Sequence, residues 1–252
     1  DIDMYFTDNC RKNNINMYVE NLYEHGFMYD GLKEIIPYQC KNHKFFLYET
    51  DKINWEKTYL DENFLQSINN FENLNVSEPC DYVYQFPFVS ETFCNHLIEE
   101  VNNLNEWSPG LNSTTIDNRI NNIENVPTMD IHMSQVGFHN QWEKIVKTYI
   151  APLVSYLYSP FKTTGLNIAF VVKYEMGKQE NLEPHSDSST YSINITLNDP
   201  DKDFTGGGTK FIKHKMCLLN YLSERIITCQ TIHHHYRYLL TQETALLRTY
   251  KI

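Results

Sequence analysis

The chain has 252 residues, is 41% hydrophobic and 14% aromatic, and carries a formal net charge of −11. That length holds one large domain, or one domain with a smaller appendage, and the apolar content can fill a core. The acidic balance, with no Lys/Arg cluster, argues against a nucleic-acid face, and the apolar run Ile168-Ala169-Phe170-Val171-Val172 suits a buried strand, far short of a membrane span.

The sequence starts at Asp1 rather than Met, so a piece of a longer protein is expected. Asn14 to Val19 reads as a strand and Trp55 to Asn69 as a helix, so the first sixty or so residues suggest a small α/β remnant. The polar stretch Asn73 to Glu78, followed by Pro79-Cys80, is the expected boundary between regions 1–78 and 79–252. Asp81 to Phe86 alternates like a strand. Ser90 then reads as the N-cap of a helix reaching about Asn105, with Phe93, Leu97, Ile98 and Val101 at helical spacing. A second helix is expected over Gln141 to Tyr158, kinked or broken at Pro152. Strands follow at Asn167–Tyr174, Thr190–Leu197, Thr209–His214 and Ile226–Ile232, with Gly206-Gly207-Gly208 as a turn into the third. Helices followed by many strands predict an α+β fold, with helices outside an antiparallel barrel or sandwich.

Cys10, Cys40, Cys80, Cys94, Cys217 and Cys229 form no CxxC zinc pattern, so they are core thiols or partly disulfide-bonded. Asn75-Val76-Ser77 and Asn112-Ser113-Thr114 have the form of glycosylation acceptors, while Asn194-Ile195-Thr196 falls in a strand pattern. Pro184-His185-Ser186-Asp187 carries the main chemical signal. In extended chain, residues two apart point the same way, so His185 and Asp187 can grip one metal ion. With a distant histidine they make a two-His-one-carboxylate triad, which leaves positions open for a 2-oxo acid and O₂. His233-His234-His235 lies where such a third ligand would fall. The competing readings are a capped surface turn at Asp187 and a solvated His tract. Arg248 could pair bidentately with a remote carboxylate, or be an ordinary surface Arg.

Several segments together resemble the procollagen-lysine 2-oxoglutarate 5-dioxygenase family, in its C-terminal catalytic region. They are Asp117-Asn118-Arg119-Ile120, Glu124 to Met133, Tyr149-Ile150-Ala151-Pro152, Ala169 to Tyr174, Pro184 to Thr190, Ile193-Asn194-Ile195 and Gly206 to Phe211. At the front, Asp1-Ile2-Asp3-Met4 and Trp55 to Tyr59 resemble the end of the family's glycosyltransferase-like accessory domain and its connector, a region too short to act as a transferase. The resemblance implies a double-stranded β-helix, or jelly roll, over 79–252. It implies iron(II) held by His185, Asp187 and His235, and 2-oxoglutarate lined by Tyr174, Thr190, Asn194 and Arg248. It further implies O₂ and ascorbate as co-reactants, lysine in collagen-like Gly-X-Lys repeats as substrate, a homodimer, and the endoplasmic reticulum lumen. Asp199, Asp201 or Asp203 would hold the lysine ammonium, and Cys80 would pair with Cys217. The Asn-, Ile- and Tyr-rich composition points to an A/T-rich genome, a viral one included, where the compartment would differ.

After about His214 the chain departs from the family, which continues with a His-Pro-Gly turn and a Thr-His-Tyr-His-Glu-Gly segment. Here stands Cys229 to Tyr238, then Leu246-Leu247-Arg248-Thr249-Tyr250 on a short final strand. His233 or His234 are alternatives to His235, and a literal His-Tyr match would put Arg237 at the ligand position. The departure keeps other readings open: an impaired relative acting in binding or assembly, a hydroxylase of another residue, or a zinc module built on the three-His run.

Overall fold

The structure is a computed structural model. It describes residues 9–13, 40–110, 128–158, 165–166, 168–182, 185, 189–199, 202–204, 206–211, 217–219, 226–231, 235–237 and 244–250, with backbone alone at Lys210 and from Cys217 onward. The chain forms two compact units, Asp1–Glu34 and Ile35–Ile252. In the first, Asn9 to Asn13 form a helical turn, in which the Asn13 amide donates to the Asn9 carbonyl at 3.1 Å. The expected strand at Asn14–Val19 lies outside the described residues.

The second unit opens with a 3-10 turn, His43–Phe46, then α1 (Lys52–Tyr59) and α2 (Glu62–Ser67). The single helix expected over Trp55–Asn69 is split because Asp61 is extended, with ψ 143°. Its carboxylate accepts from the Phe64 amide at 3.0 Å and starts a new helix. Strands β1 (Ser77–Cys80) and β2 (Val83–Pro87) form a hairpin. Helix α3 (Glu91–Leu104) follows, capped by Ser90, whose hydroxyl accepts from the Phe93 amide at 3.2 Å. Asn105 ends it in the left-handed region, as a C-terminal cap residue does. After β3 (Asp130–His132) come α4 (His139–Ile145), a π-helical turn (Val146–Ile150) and α5 (Ala151–Leu157). Pro152 has no N–H for the Thr148 carbonyl. The preceding turn widens, and the Ala151 N–H donates to Val146 O, five residues back. The proline is absorbed by one wide turn.

The remaining strands are β4 (Ile168–Tyr174), β5 (Tyr191–Thr196), β6 (Thr209–Phe211), β7 (Cys217–Leu219), β8 (Ile226–Thr231), β9 (His235–Arg237) and β10 (Thr244–Tyr250). Seven make one sheet in the order β1-β2-β8-β5-β10-β4-β3, and three make a second, β7-β6-β9. All these pairings are antiparallel. β10 is therefore a seven-residue inner strand, longer than the short final strand expected from sequence.

Alternation along the strands gives the large sheet two different faces. Phe86, Ile131, Ala169, Val171, Ile193 and Ile195 join a core with Phe93 and Leu97 of α3 and Trp142 and Ile145 of α4. Phe170, Val172 and Tyr174 point the other way and pack with Leu182 and Phe204. Phe211 of the small sheet packs with Cys80 and Val83.

Residues 40–78 share the helix-side core with the rest of the unit, so no packing break falls at 78/79. Phe45 is fully buried, stacked on Phe138 with centroids 4.3 Å apart and edge-on to Tyr59 at 5.4 Å. The Trp55 indole N–H donates to the Phe45 carbonyl at 2.9 Å. The buried Glu100 carboxylate on α3 accepts from the Lys41 and Asn42 amides at 2.8 and 2.6 Å, pinning the entering chain. Phe45→Ala should cost about 3–5 kcal/mol of unfolding free energy in a urea titration. A loss below about 1 kcal/mol would show that this segment is not part of the cooperative core.

Candidate functional site

β4 and β5 read as strands because β-branched and aromatic residues dominate them. Between them lies β10, and its register defines the site. Arg248 has Phe170 of β4 and Asn194 of β5 as its Cα partners. The row extends to His132 of β3 on one side and to Thr228 of β8 and Gln85 of β2 on the other. Residues directly opposite one another on antiparallel strands share a face. The row His132–Phe170–Arg248–Asn194–Thr228–Gln85 thus lies on the face away from the helices.

Tyr174 ends β4 on that same face, 2% exposed, against Phe170, Val172, Leu182 and Phe204. Asn194 is 7% exposed. Its burial in mid-sheet removes Asn194-Ile195-Thr196 as a glycosylation acceptor. Thr190 is exposed, in the bend before β5, apart from the buried row. Beside it, buried Ser189 and Ser192 join their hydroxyls at 2.8 Å.

Of the residues expected to hold metal, His185 and His235 are among the described ones. His185 is partly exposed at a β-bridge position between β4 and β5. Asp187 lies outside the described residues, as do His233 and His234. His235 opens β9, with Phe211 of β6 as its Cα partner. Among the described residues no cluster of three or more His, Cys, Asp or Glu could hold a metal ion.

The turn from β4 toward His185 is tied down by charge. Glu175 pairs with Lys173 at 3.0 Å and Lys178 at 2.6 Å. Lys178 first, then Lys173, hold its carboxyl below the usual glutamate range by hydrogen bonding. Gly177, at φ 77°, lets its amide donate to the Glu180 carboxylate at 2.8 Å.

Asp199 and Asp203, two of the three candidates for gripping lysine, already serve their own loop. The Asp203 carboxylate accepts from the Asp199 amide at 2.8 Å, and Asp199 pairs with Lys202. Asp201 lies outside the described residues.

Sequence reading missed Asp130 and His132, which are 0% and 6% exposed. The signal was there in the alternation Thr128-Met129-Asp130-Ile131-His132-Met133, polar and apolar by turns. Both faces of this short strand are buried, so its polar side cannot be a solvent face.

A family model described as the OGFOD2-like domain matches residues 36–163. A procollagen lysyl hydroxylase and glycosyltransferase of Acanthamoeba polyphaga mimivirus is 42% identical over 85% of this chain and 24% of its own length. A procollagen-lysine,2-oxoglutarate 5-dioxygenase 1 of Gallus gallus is 37% identical over 85% of this chain and 28% of its own. A prolyl-4-hydroxylase structure from Pseudomonas putida aligns with 75% of this chain and 98% of that one, at 11% identity and a TM-score of 0.48. The chain belongs to the OGFOD2-like domain family. Its resemblance to the procollagen-lysine 2-oxoglutarate 5-dioxygenases, carried above by short motifs, extends over most of its residues. The chain spans about a quarter of the length of these relatives.

Proposed function

We propose that this chain is an iron(II)- and 2-oxoglutarate-dependent oxygenase that hydroxylates C5 of lysine in collagen-like Gly-X-Lys peptides. The observation that carries this reading is the position of Arg248, between Asn194 and Phe170, on the face that also holds Tyr174. Arg248 takes the remote carboxylate of 2-oxoglutarate as a bidentate partner. The Asn194 amide and Tyr174 hydroxyl are further donors, and Thr190 closes the mouth from the bend before β5. Phe170, Val172, Leu182 and Phe204 give this face an apolar lining that excludes water.

Two imidazoles and one carboxylate, from His185, Asp187 and His235, are the donor set that suits iron(II) with open positions. The partly exposed His185 stands where a ligand can reach it. Iron bound there supplies dioxygen activation, by which one oxygen atom enters lysine and the other enters succinate as 2-oxoglutarate loses CO₂. Ascorbate serves as reductant for oxidised iron.

The two sheets are read as the halves of a double-stranded β-helix over 79–252. Residues 1–78 are the end of an accessory domain and its connector, whose part from residue 40 packs into the oxygenase core. A homodimer in the endoplasmic reticulum lumen completes the reading. No helix among the described residues is long and apolar enough to cross a membrane. Cys80 is disulfide-bonded, as suits an oxidising compartment. Cys217 is its proposed partner, because β1, ending at Cys80, lies against β7, which starts at Cys217. Non-reducing peptide mapping should recover the 80–217 pair, and Cys80→Ser should cost about 2–5 kcal/mol of stability. Recovery of an 80–229 pair would refute the assignment.

The reading as a whole is tested by incubating the chain with iron(II), 2-oxoglutarate, ascorbate and a collagen-like lysine peptide. Mass spectrometry should find one added oxygen on lysine, with stoichiometric succinate. No oxidation and no iron binding would favour an impaired relative, a reading that the altered stretch from Cys229 to Tyr238 keeps open.

A further inference from the structure

A buried sheet face is a costly place for a carboxylate, and β3 puts one there. Asp130 is fully buried, across from Val172. The Thr128 hydroxyl donates to its Oδ2, and His132 Nε2 lies 3.7 Å from its Oδ1. The backbone is locked as well. The Asp130 amide donates to Ser108 Oγ at 2.8 Å, and the Ser108 amide donates to the Asp130 carbonyl at 3.0 Å. Ser108 Oγ in turn donates to the Thr128 carbonyl at 2.6 Å. Desolvating such a group costs several kcal/mol, and an apolar residue of similar size would avoid that cost. The cross-strand partners of the pair on β4, Val172 and Phe170, are apolar.

What the pair does is set by its row. The His132 ring stacks on Phe170, with centroids 5.7 Å apart and planes 27° from parallel. Phe170 has His132 as its cross-strand partner on one side and Arg248 on the other. β3 is the edge strand, and its pairing with β4 spans three residue pairs. The His132 ring thus stands against the Phe170 ring on the side toward the sheet edge.

We propose that Asp130 and His132 are positioning residues for the 2-oxoglutarate subsite: Asp130 orients the His132 ring, which fixes Phe170 beside Arg248. This deepens the function proposed above and rests on it. Asp130 restricts the imidazole's rotation through its Nε2 side, as a carboxylate commonly orients a histidine. A fixed Phe170 leaves the Arg248 position one wall rather than a mobile one, so less ordering remains to be done when the dianion binds.

The plain alternative is that an inward-pointing charge merely protects an edge strand from pairing with other chains. Calorimetric titration of 2-oxoglutarate into the manganese(II)-loaded chain separates the two. Manganese(II), a divalent ion that accepts carboxylate donors, stands in for iron without turnover. The parent chain comes first: if it binds no 2-oxoglutarate, the proposed function fails and this inference falls with it. If it binds, His132→Ala should weaken binding about tenfold, or ~1.4 kcal/mol. His132→Phe, which keeps the ring, should restore affinity to within about threefold of the parent. Asp130→Asn should weaken binding in the same direction. In turnover, KM for 2-oxoglutarate should rise more than kcat falls. Unchanged affinity in His132→Ala with a lowered melting temperature would make the pair an edge plug and overturn the proposal. So would a His132→Phe variant as weak as His132→Ala. Should His132→Ala not fold, His132→Phe and Asp130→Asn still decide: parental affinity in both overturns the proposal, and a loss in Asp130→Asn upholds it.

Discussion

Asp187→Ala is expected to abolish lysine oxygenation, lowering turnover by at least about a thousandfold, which is roughly 4 kcal/mol of transition-state stabilisation. The proposed triad has a single carboxylate, and with it goes the one negative charge the protein's own ligands bring to the metal. Two neutral imidazoles hold a divalent ion far less well than two imidazoles and a carboxylate. The check is mass spectrometry of the peptide beside a metal-retention assay after desalting. Loss of both oxygenation and iron, with an unchanged melting curve, is the expected pattern. A variant that still oxidises lysine at more than a tenth of the parental rate would remove Asp187 from the triad. The same pair of assays on His235→Ala, with His233→Ala and His234→Ala beside it, assigns the third ligand within the run that sequence leaves open.

The second large effect falls on Arg248. Arg248→Leu should raise KM for 2-oxoglutarate by about a hundredfold, because a charge-assisted bidentate contact is worth roughly 3 kcal/mol when shielded from water. Arg248→Lys keeps the charge but loses the planar fork, so about a tenfold rise is expected. KM for the peptide should move little in either. Steady-state succinate release at varied 2-oxoglutarate reads the effect directly. An unchanged KM in Arg248→Leu would show that another cation anchors the co-substrate.

Much of the scaffold could be read from residues alone, for identifiable reasons. Ser90 announced α3 because a hydroxyl that accepts from an amide three residues on is a local device, needing no tertiary knowledge. β4 is visible in its run of β-branched and aromatic residues, and β5 in the alternation of Tyr191, Ile193 and Ile195 with polar residues. Pro152 predicts a kink or break, yet the wide turn before it carries the helix through, with Tyr149 and Ile150 still in the core. The split between α1 and α2 turned on Asp61 choosing a cap over a helical interior, which periodicity cannot decide. The candidate site was legible in its parts but not in its assembly. Tyr174, Asn194 and Arg248 could each be singled out as a donor, but only the insertion of β10 between β4 and β5 puts them on one face. Strand order is a long-range property, and no local pattern encodes it. Alternation from Thr128 to Met133 marks a strand, but it cannot show that the polar side, with Asp130 and His132, is buried.

That strand order also shapes how the protein must fold. β4 pairs with β3 and β5 with β8, all earlier in the chain, but the edges that face each other are joined only by β10. Until Leu246 returns to meet Val172 and Thr196, two apolar strands hold open edges. Pairings so distant in sequence close slowly, because loop-closure entropy is spent before the ladder repays it. During synthesis those edges leave the ribosome well before their mate is made. Exposed apolar edges favour aggregation, and a chaperone that masks β4 and β5 in that interval should raise the yield of folded protein.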